Sequence, residues 1–242
     1  MDDKLYIKDH INDFAFTNAR FLRGAPKGVL LRLRGLCLDI PLMELTREGR
    51  KYAKEGILLV YPYTAPWSWM NPETVRMIDQ ILDGVCENLR LDTNIPLVVY
   101  GHSLGGYGAL TYGVFGTHKP CASVAVSPIC DLNYHATEHH GILVSMYHAF
   151  CHMEEKLGDT LYIRSPVNII STMLRIPYYI AYCSRDKQVD SVRHAIPLVT
   201  AMRQYEHDVR AVAENGEHCE LSQETEQEIF AFICDNIRKE SV

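Results

Sequence analysis

The sequence predicts an α/β protein built on a mostly parallel, twisted sheet with helices on both faces. Three observations carry this. Short β-branched runs alternate with segments of helical spacing along most of the 242 residues. Several of those runs are apolar throughout, as strands covered on both sides are. In the third, Ile95-Pro96-Leu97-Val98-Val99-Tyr100-Gly101-His102-Ser103-Leu104-Gly105-Gly106-Tyr107-Gly108-Ala109, an apolar run stops at a glycine, a serine follows, and small residues open a helix.

Taken in order, residues 1–27 carry Phe14-Ala15-Phe16 and Arg20-Phe21-Leu22, expected as two short edge strands. Val29 to Arg34 is a clearer strand ending at Gly35. Pro41 to Lys54 has helical spacing and stops at Gly56, and Ile57 to Tyr61 is a buried strand. The loop from Pro62 to Met70 holds both tryptophans, Trp67 and Trp69. Asn71-Pro72-Glu73 reads as an N-cap, a proline at the first helical position and an acid in the first turn. The stripe Val75, Ile78, Ile81, Leu82, Val85 and Leu89 continues that helix.

After the serine stretch, Ala122 to Val126 is the sixth strand in this count. The alternation then breaks over residues 129–175, a His-rich, aromatic segment with helices expected around 140–156 and 166–173. It is read as a helical insertion, a cap over the sheet. Alternation resumes with the strand Tyr178–Tyr182, a helix from about Ser191 to Tyr205, the strand Val209–Ala213 and a last helix from about Ser222 to Arg238. Residues 1–242 read as a single domain with the 129–175 cap inside it, without internal repeats.

A net charge of −6 with no basic block argues against nucleic acid or an anionic membrane as partner. Met1-Asp2-Asp3-Lys4 opens a polar segment unlike a signal peptide, and no apolar run reaches membrane-spanning length. The eight cysteines (37, 86, 121, 130, 151, 183, 219 and 234) are scattered without a C-x-x-C pair, and no N-x-S/T sequon is present. Reduced core thiols and a cytoplasmic location are expected.

Gly101-His102-Ser103-Leu104-Gly105 is a G-x-S-x-G pattern between strand and helix. A serine on so sharp a turn is lifted clear of the sheet, and side chains two positions before and after it would collide. Ser103 is therefore the expected nucleophile. Such a serine needs a base, and the base an acid to hold its tautomer. In open α/β sheets both belong on loops at the carboxyl ends of strands.

The loop after Tyr182 offers Asp186, with Asp190 as the competitor that caps the next helix instead. The loop after Ala213 offers His218 as base. His194 and His207 sit on or beside the preceding helix, and His102 is expected to pack away as part of the turn. The oxyanion hole needs two converging backbone donors. Leu104 N–H is one, and Leu36 N–H, after Gly35, is the other.

These residues together resemble the α/β-hydrolase superfamily over nearly the whole chain. The second half is similar to the catalytic domain of prolyl oligopeptidase-type and related acyl esterases. Gly101 to Ala109, Arg164-Ser165-Pro166-Val167 before Ile176-Pro177, Asp186-x-x-Val189 and Gly216-Glu217-His218 carry that likeness. The resemblance implies Ser103 as nucleophile, Asp186 as acid, His218 as base, no cofactor, and a cap shaping an acyl pocket. Arg34-Gly35 stands where many members have His-Gly, and Cys183 replaces a glycine common three residues before the acid. The chain leaves no room for a propeller domain, so a small-molecule ester is the expected substrate rather than a long peptide.

Tyr63, Trp67, Trp69 and Tyr107 are candidate substrate-pocket aromatics, with ordinary packing the alternative; a sugar face or aromatic acyl group would suit them. His135 with His139, and His148 with His152, have an i,i+4 spacing compatible with zinc. No H-E-x-x-H and no third ligand at a suitable spacing accompanies them, so no metal is expected and the segment reads as a polar, pH-responsive lid. The expected activity is a serine carboxylesterase acting on small carboxylic esters, acetyl and carbohydrate esters among them. Acyl transfer or thioester cleavage with the same three residues, or a catalytically silent binding protein, are the alternatives.

Overall fold

The computed structural model describes residues 3–36, 40–92 and 94–240. Two short helices, α1 (Asp3–Asp9) and α2 (Ile11–Phe14), lead into β1 (Ala15–Thr17). Then follow β2 (Gly28–Leu33), α3 (Leu42–Lys54), β3 (Ile57–Pro62), α4 (Pro72–Leu89), β4 (Leu97–His102), α5 (Leu104–Phe115) and β5 (Ala122–Val126). Three cap helices, α6 (Leu132–Glu138), α7 (Ile142–Phe150) and α8 (Leu157–Arg164), come before β6 (Tyr178–Cys183), α9 (Ala195–Gln204), β7 (Val209–Glu214) and α10 (Gln223–Glu240).

The sheet has seven strands in the order β1-β3-β2-β4-β5-β6-β7. β1 runs antiparallel to β3 and every other pair is parallel. Alternate residues of the central strands feed two opposite cores, as the pleat requires. Leu31, Leu33, Leu58 and Val99 pack with α4 and α5 through Ile78, Ile81 and Tyr107. Leu30, Leu59, Val98 and Tyr100 pack with α3 and α10 through Leu45, Ile229 and Ile233. Coverage on both faces explains why these strands read as unbroken apolar runs. Among the described residues no helix is long and apolar enough to cross a membrane.

The N-terminal segment departs from the sequence reading. α1 and α2 precede the first strand, and Ile7 of α1 is buried in the core that α4 builds. Arg20-Phe21-Leu22 is no strand; Ala19–Phe21 is a single 3-10 turn. Asn18 is the reason. Its buried amide donates to the carbonyls of Gly49 and Ile57 at 2.8 and 3.0 Å, and its carbonyl accepts from Leu59 N–H at 2.8 Å. A side chain thus takes the hydrogen bonds that a continuing strand would have made with β3, and the main chain turns away.

The cap follows the fifth strand of the sheet, because the expected second edge strand does not form. It consists of three helices and two 3-10 turns, Pro166–Asn168 and Ile170–Thr172, instead of helices at 140–156 and 166–173. Gly141, at φ 85°, separates α6 from α7 in a left-handed conformation that the helix cannot contain. Trp69 Nε1–H donates to Ser145 Oγ at 3.0 Å, and Arg164 Nη1–H to the Met70 carbonyl at 3.1 Å, tying α7 and α8 to the loop before α4. α9 begins at Ala195 and not at Ser191. Cysteines 86, 121, 130, 151, 183, 219 and 234 are unpaired; Cys37 lies outside the described residues.

Replacing Asn18 by alanine removes three hydrogen bonds to buried backbone of α3 and β3. Urea unfolding should show a loss of about 2–4 kcal/mol; a loss under about 0.5 kcal/mol would mean that the edge turns without the amide.

Candidate active site

Ser103 stands between β4 and α5 with φ 56° and ψ −120°, a conformation L-residues rarely adopt. Two glycines make it attainable. A methyl group at Gly101 would lie 2.0 Å from the Gly105 carbonyl oxygen, and one at Gly105 would lie 2.5 Å from that of Leu33. β4, α5 and the end of β2 therefore approach closer than any side chain allows. Ser103 N–H donates to the Val126 carbonyl at 2.8 Å, locking the turn to β5. The hydroxyl makes no hydrogen bond among the described residues, and Ser103 lines a cavity of about 610 Å³ at the carboxyl ends of the strands.

His218 lines the same cavity, from the loop after β7. Gly216 makes the loop's tight return possible, since a methyl group there would meet the Glu220 carbonyl oxygen at 2.6 Å. Cys219, at φ 61°, follows the histidine, and its N–H donates to Ser127 Oγ at 3.3 Å. The loop after β6 brings in Asp186: His218 Nδ1–H donates to Asp186 Oδ2 at 2.6 Å. The other carboxylate oxygen accepts from the N–H groups of Gln188 and Val189, both at 2.9 Å. Asp190, the competitor, accepts from Val192 N–H at 3.0 Å and does not touch His218. Among the described residues no hydrogen bond joins Ser103 to His218; the two share the cavity wall.

Burial works against the charge on Asp186, but His218 and the two backbone donors outweigh it and hold the carboxyl below its usual range. Burial likewise works against protonated His218, yet Asp186 and the adjacent Cys219 raise its pKa to about 9. With Nδ1–H committed to the carboxylate, Nε2 is the nitrogen left to exchange a proton.

Leu36 and Gly35 line the cavity as well. A methyl group at Gly35 would be in ordinary contact with the His102 carbonyl at 3.7 Å, so the protein chain itself does not demand glycine there. Leu104 N–H opens α5, in the turn whose donors have no partner inside the helix.

The four aromatic candidates lie elsewhere. Trp69 and Tyr107 are fully buried core residues, and Tyr63 and Trp67 are exposed outside the cavity. Trp69 is drawn into the core because α7 offers its indole N–H a partner, and Tyr107 faces the core side of α5. His102 also differs from expectation. It lines the cavity, its Nε2 is 2.6 Å from the Tyr100 hydroxyl, and burial, with Arg32 and His218 nearby, keeps its proton affinity well below the ordinary imidazole value. Several cavity residues escaped sequence reasoning as site groups, Arg32, Ile129 and Gln188 among them. Arg32 left a signal, a charge inside the apolar run Val29-Leu30-Leu31-Arg32-Leu33.

Neither histidine pair of the cap is joined by a third ligand among the described residues, although the rings of His135 and His139 meet edge to face at 5.8 Å. α6 ends at Glu138, so His139 lies beyond it and its Nε2 bonds to the Gln188 carbonyl at 2.7 Å; His152 pairs with Glu73 at 2.9 Å. A different trio forms, His135, Glu138 and His194, whose ligand-type atoms lie within 4.8 Å of one another. His194 Nδ1 accepts from the N–H groups of Cys130 and Asp131 at 3.1 and 3.2 Å, so it carries no proton. Nε2–H then donates to Glu138 Oε2 at 2.7 Å, beside His135 Nδ1–H at 2.6 Å. A metal on His194 Nε2 would require an imidazolate, and the donor set fits a hydrogen-bonded hub better than an ion. Glu138, despite burial, is held well below the usual carboxylate range by its two imidazoles, and burial pushes His135 below its ordinary value.

A larger hollow of about 730 Å³ lies at the opposite end of the sheet, around Val29, Leu97, Cys121 and Pro177. It contains none of the converging groups above and faces the amino ends of the strands, where α/β sheets do not place their sites.

No protein-family model and no curated protein matches the chain. Among solved structures it is similar to acylaminoacyl peptidase from Pyrococcus horikoshii, at TM-score 0.59 and 16% identity over 81% of this chain and 33% of that one. It is also similar to a thermophilic esterase from Thermogutta terrifontis, at 0.66 and 14% over 91% and 86%, and to esterase B from Lactobacillus rhamnosis, at 0.66 and 12% over 90% and 78%. The chain thus spans a third of the peptidase's length and most of each esterase.

The imidazole resonances of His218 should titrate near pH 9. In Asp186→Asn the midpoint should fall toward or below the ordinary imidazole value of about 6.5, since burial is then less opposed. An unchanged midpoint in that variant would detach His218 from the carboxylate.

Proposed function

From the α/β-hydrolase fold that the chain shares with esterases and peptidases, we propose that this protein is a serine carboxylesterase acting on small esters through an acyl-enzyme on Ser103. The observation that carries the reading is the carboxylate-held imidazole of His218 sharing one cavity with a serine in a strained strand-to-helix turn. In this reading His218 Nε2 accepts the Ser103 hydroxyl proton as Oγ attacks the ester carbonyl. Asp186 keeps the imidazole in the Nδ1–H tautomer and offsets the imidazolium charge. The N–H groups of Leu36 and Leu104 receive the oxyanion. The imidazolium passes its proton to the departing alcohol, and a water molecule, deprotonated by the same nitrogen, releases the acid and restores Ser103.

Only neutral His218 serves as base, and the residue chemistry asks for no cofactor. Similarity to a peptidase of which the chain covers a third carries the fold, and a small ester suits the cavity volume. The unpaired state of the seven described cysteines supports a reducing compartment such as the cytoplasm.

Hydrolysis of 4-nitrophenyl acetate and butyrate tests the reading. Ser103→Ala should lower kcat by at least about 10³-fold, and wild-type kcat/KM should climb as pH rises through about 9. Full turnover by the alanine variant would remove the claim.

A further inference from the structure

Arg32 is 6% exposed, yet it stands on the wall of the Ser103 cavity. Its guanidinium lies over the Tyr100 ring at 4.2 Å. A guanidinium has five N–H donors, and among the described residues a single hydrogen bond fills one of them, from Nη1 to the Leu33 carbonyl at 3.1 Å. Nε is buried and makes no hydrogen bond; Glu48 stands 3.5 Å from it, within ion-pair range and beyond a bond. Nη2 makes no hydrogen bond among the described residues and, unlike Nε, is not fully buried, so it faces the open cavity. Buried polar groups are nearly always satisfied, so donors left open on a cavity wall point to something that enters the cavity.

The remaining polar lining agrees. His102, His135, His139 and His218 contribute imidazoles, and no aspartate or glutamate is among the described residues of the wall. Paired strands place Arg32 opposite Tyr100, three residues before Ser103, a separation of roughly 10 Å at about 3.3 Å per residue. An acceptor held by the guanidinium and a carbonyl at Ser103 therefore fit within one small molecule.

We propose that Arg32 is a specificity-determining residue that binds a free carboxylate on the substrate, so that the ester hydrolysed is a half-ester or an ester of a hydroxy- or phenol-acid. This rests on the esterase reading and narrows it to anionic esters. A carboxylate is the natural partner, since its two oxygens match the guanidinium fork and the bonds formed are charge-assisted. Glu48 is a competitor for the same donors, held off at its present distance.

Binding to the Ser103→Ala protein tests this without asking anything of the chemistry. Calorimetry would compare monoethyl adipate with ethyl adipamate, and 4-butyryloxybenzoate with 4-butyryloxybenzamide, pairs that differ only in carboxylate against carboxamide on the acyl or the alcohol side. The carboxylate of at least one pair should bind about tenfold tighter or better. That preference should collapse toward one when Arg32→Met is added and grow several-fold when Glu48→Gln removes the rival. Should the methionine variant fail to fold, the glutamine variant decides alone. Equal affinities within both pairs, no binding of either carboxylate, a preference surviving Arg32→Met, or one unmoved by Glu48→Gln would each overturn the assignment. Wild-type turnover of neutral nitrophenyl esters reports separately on the esterase reading.

Discussion

The close passage of three backbones, at Gly101, Gly105 and the end of β2, is the constraint on which the site depends. A positive-φ serine costs of order 1–3 kcal/mol and persists only where its surroundings leave no alternative. Here β4 is held on both sides by parallel neighbours, α5 is buried along most of its length, and the serine's own N–H is bonded into β5. Loosening any of these contacts would let the turn relax and drop the hydroxyl toward the sheet. Rigidity at the centre is thus a product of the whole doubly covered sheet and not of the loop alone.

Around that centre the loops that carry Asp186 and His218 are tied to one another and to the cap. Arg185 N–H donates to the Gly216 carbonyl at 3.1 Å, joining the loops that carry Asp186 and His218. From above, Glu138 collects His135, His194 and, at 3.4 Å, the N–H of Asp190, while His139 reaches the Gln188 carbonyl. Glu138 and His139 therefore fasten the cap to the loop that carries Asp186. His135 stays on the cavity wall with Nδ1–H spent on Glu138. A cap secured this way shapes the cavity and fixes the loop beneath it in one arrangement.

Much of this was legible in the sequence, for identifiable reasons. Strands buried on both faces must be apolar throughout, so β2 to β6 stand out, and the rule that α/β sheets work at strand carboxyl ends singles out the loops of Asp186 and His218. What escaped depended on tertiary partners. Trp69 and Tyr107 look like pocket aromatics until α7 and the α5 core claim them. The turn at residues 19–21 follows from an asparagine amide bonding to segments more than thirty residues away. The hub at Glu138 needs His194, which sequence spacing gives no reason to associate with it. Arg32 was visible as an anomaly in an apolar strand, but only the cavity gives it a role.

The proposed chemistry turns on Ser103 as a nucleophile activated by His218. Intact-mass and peptide mass spectrometry after exposure of the folded protein to a fluorophosphonate measures this most directly. A single adduct on the peptide containing Ser103, lost in His218→Ala, is the expected result. No adduct on folded protein, or an adduct formed equally fast without the imidazole, would contradict it.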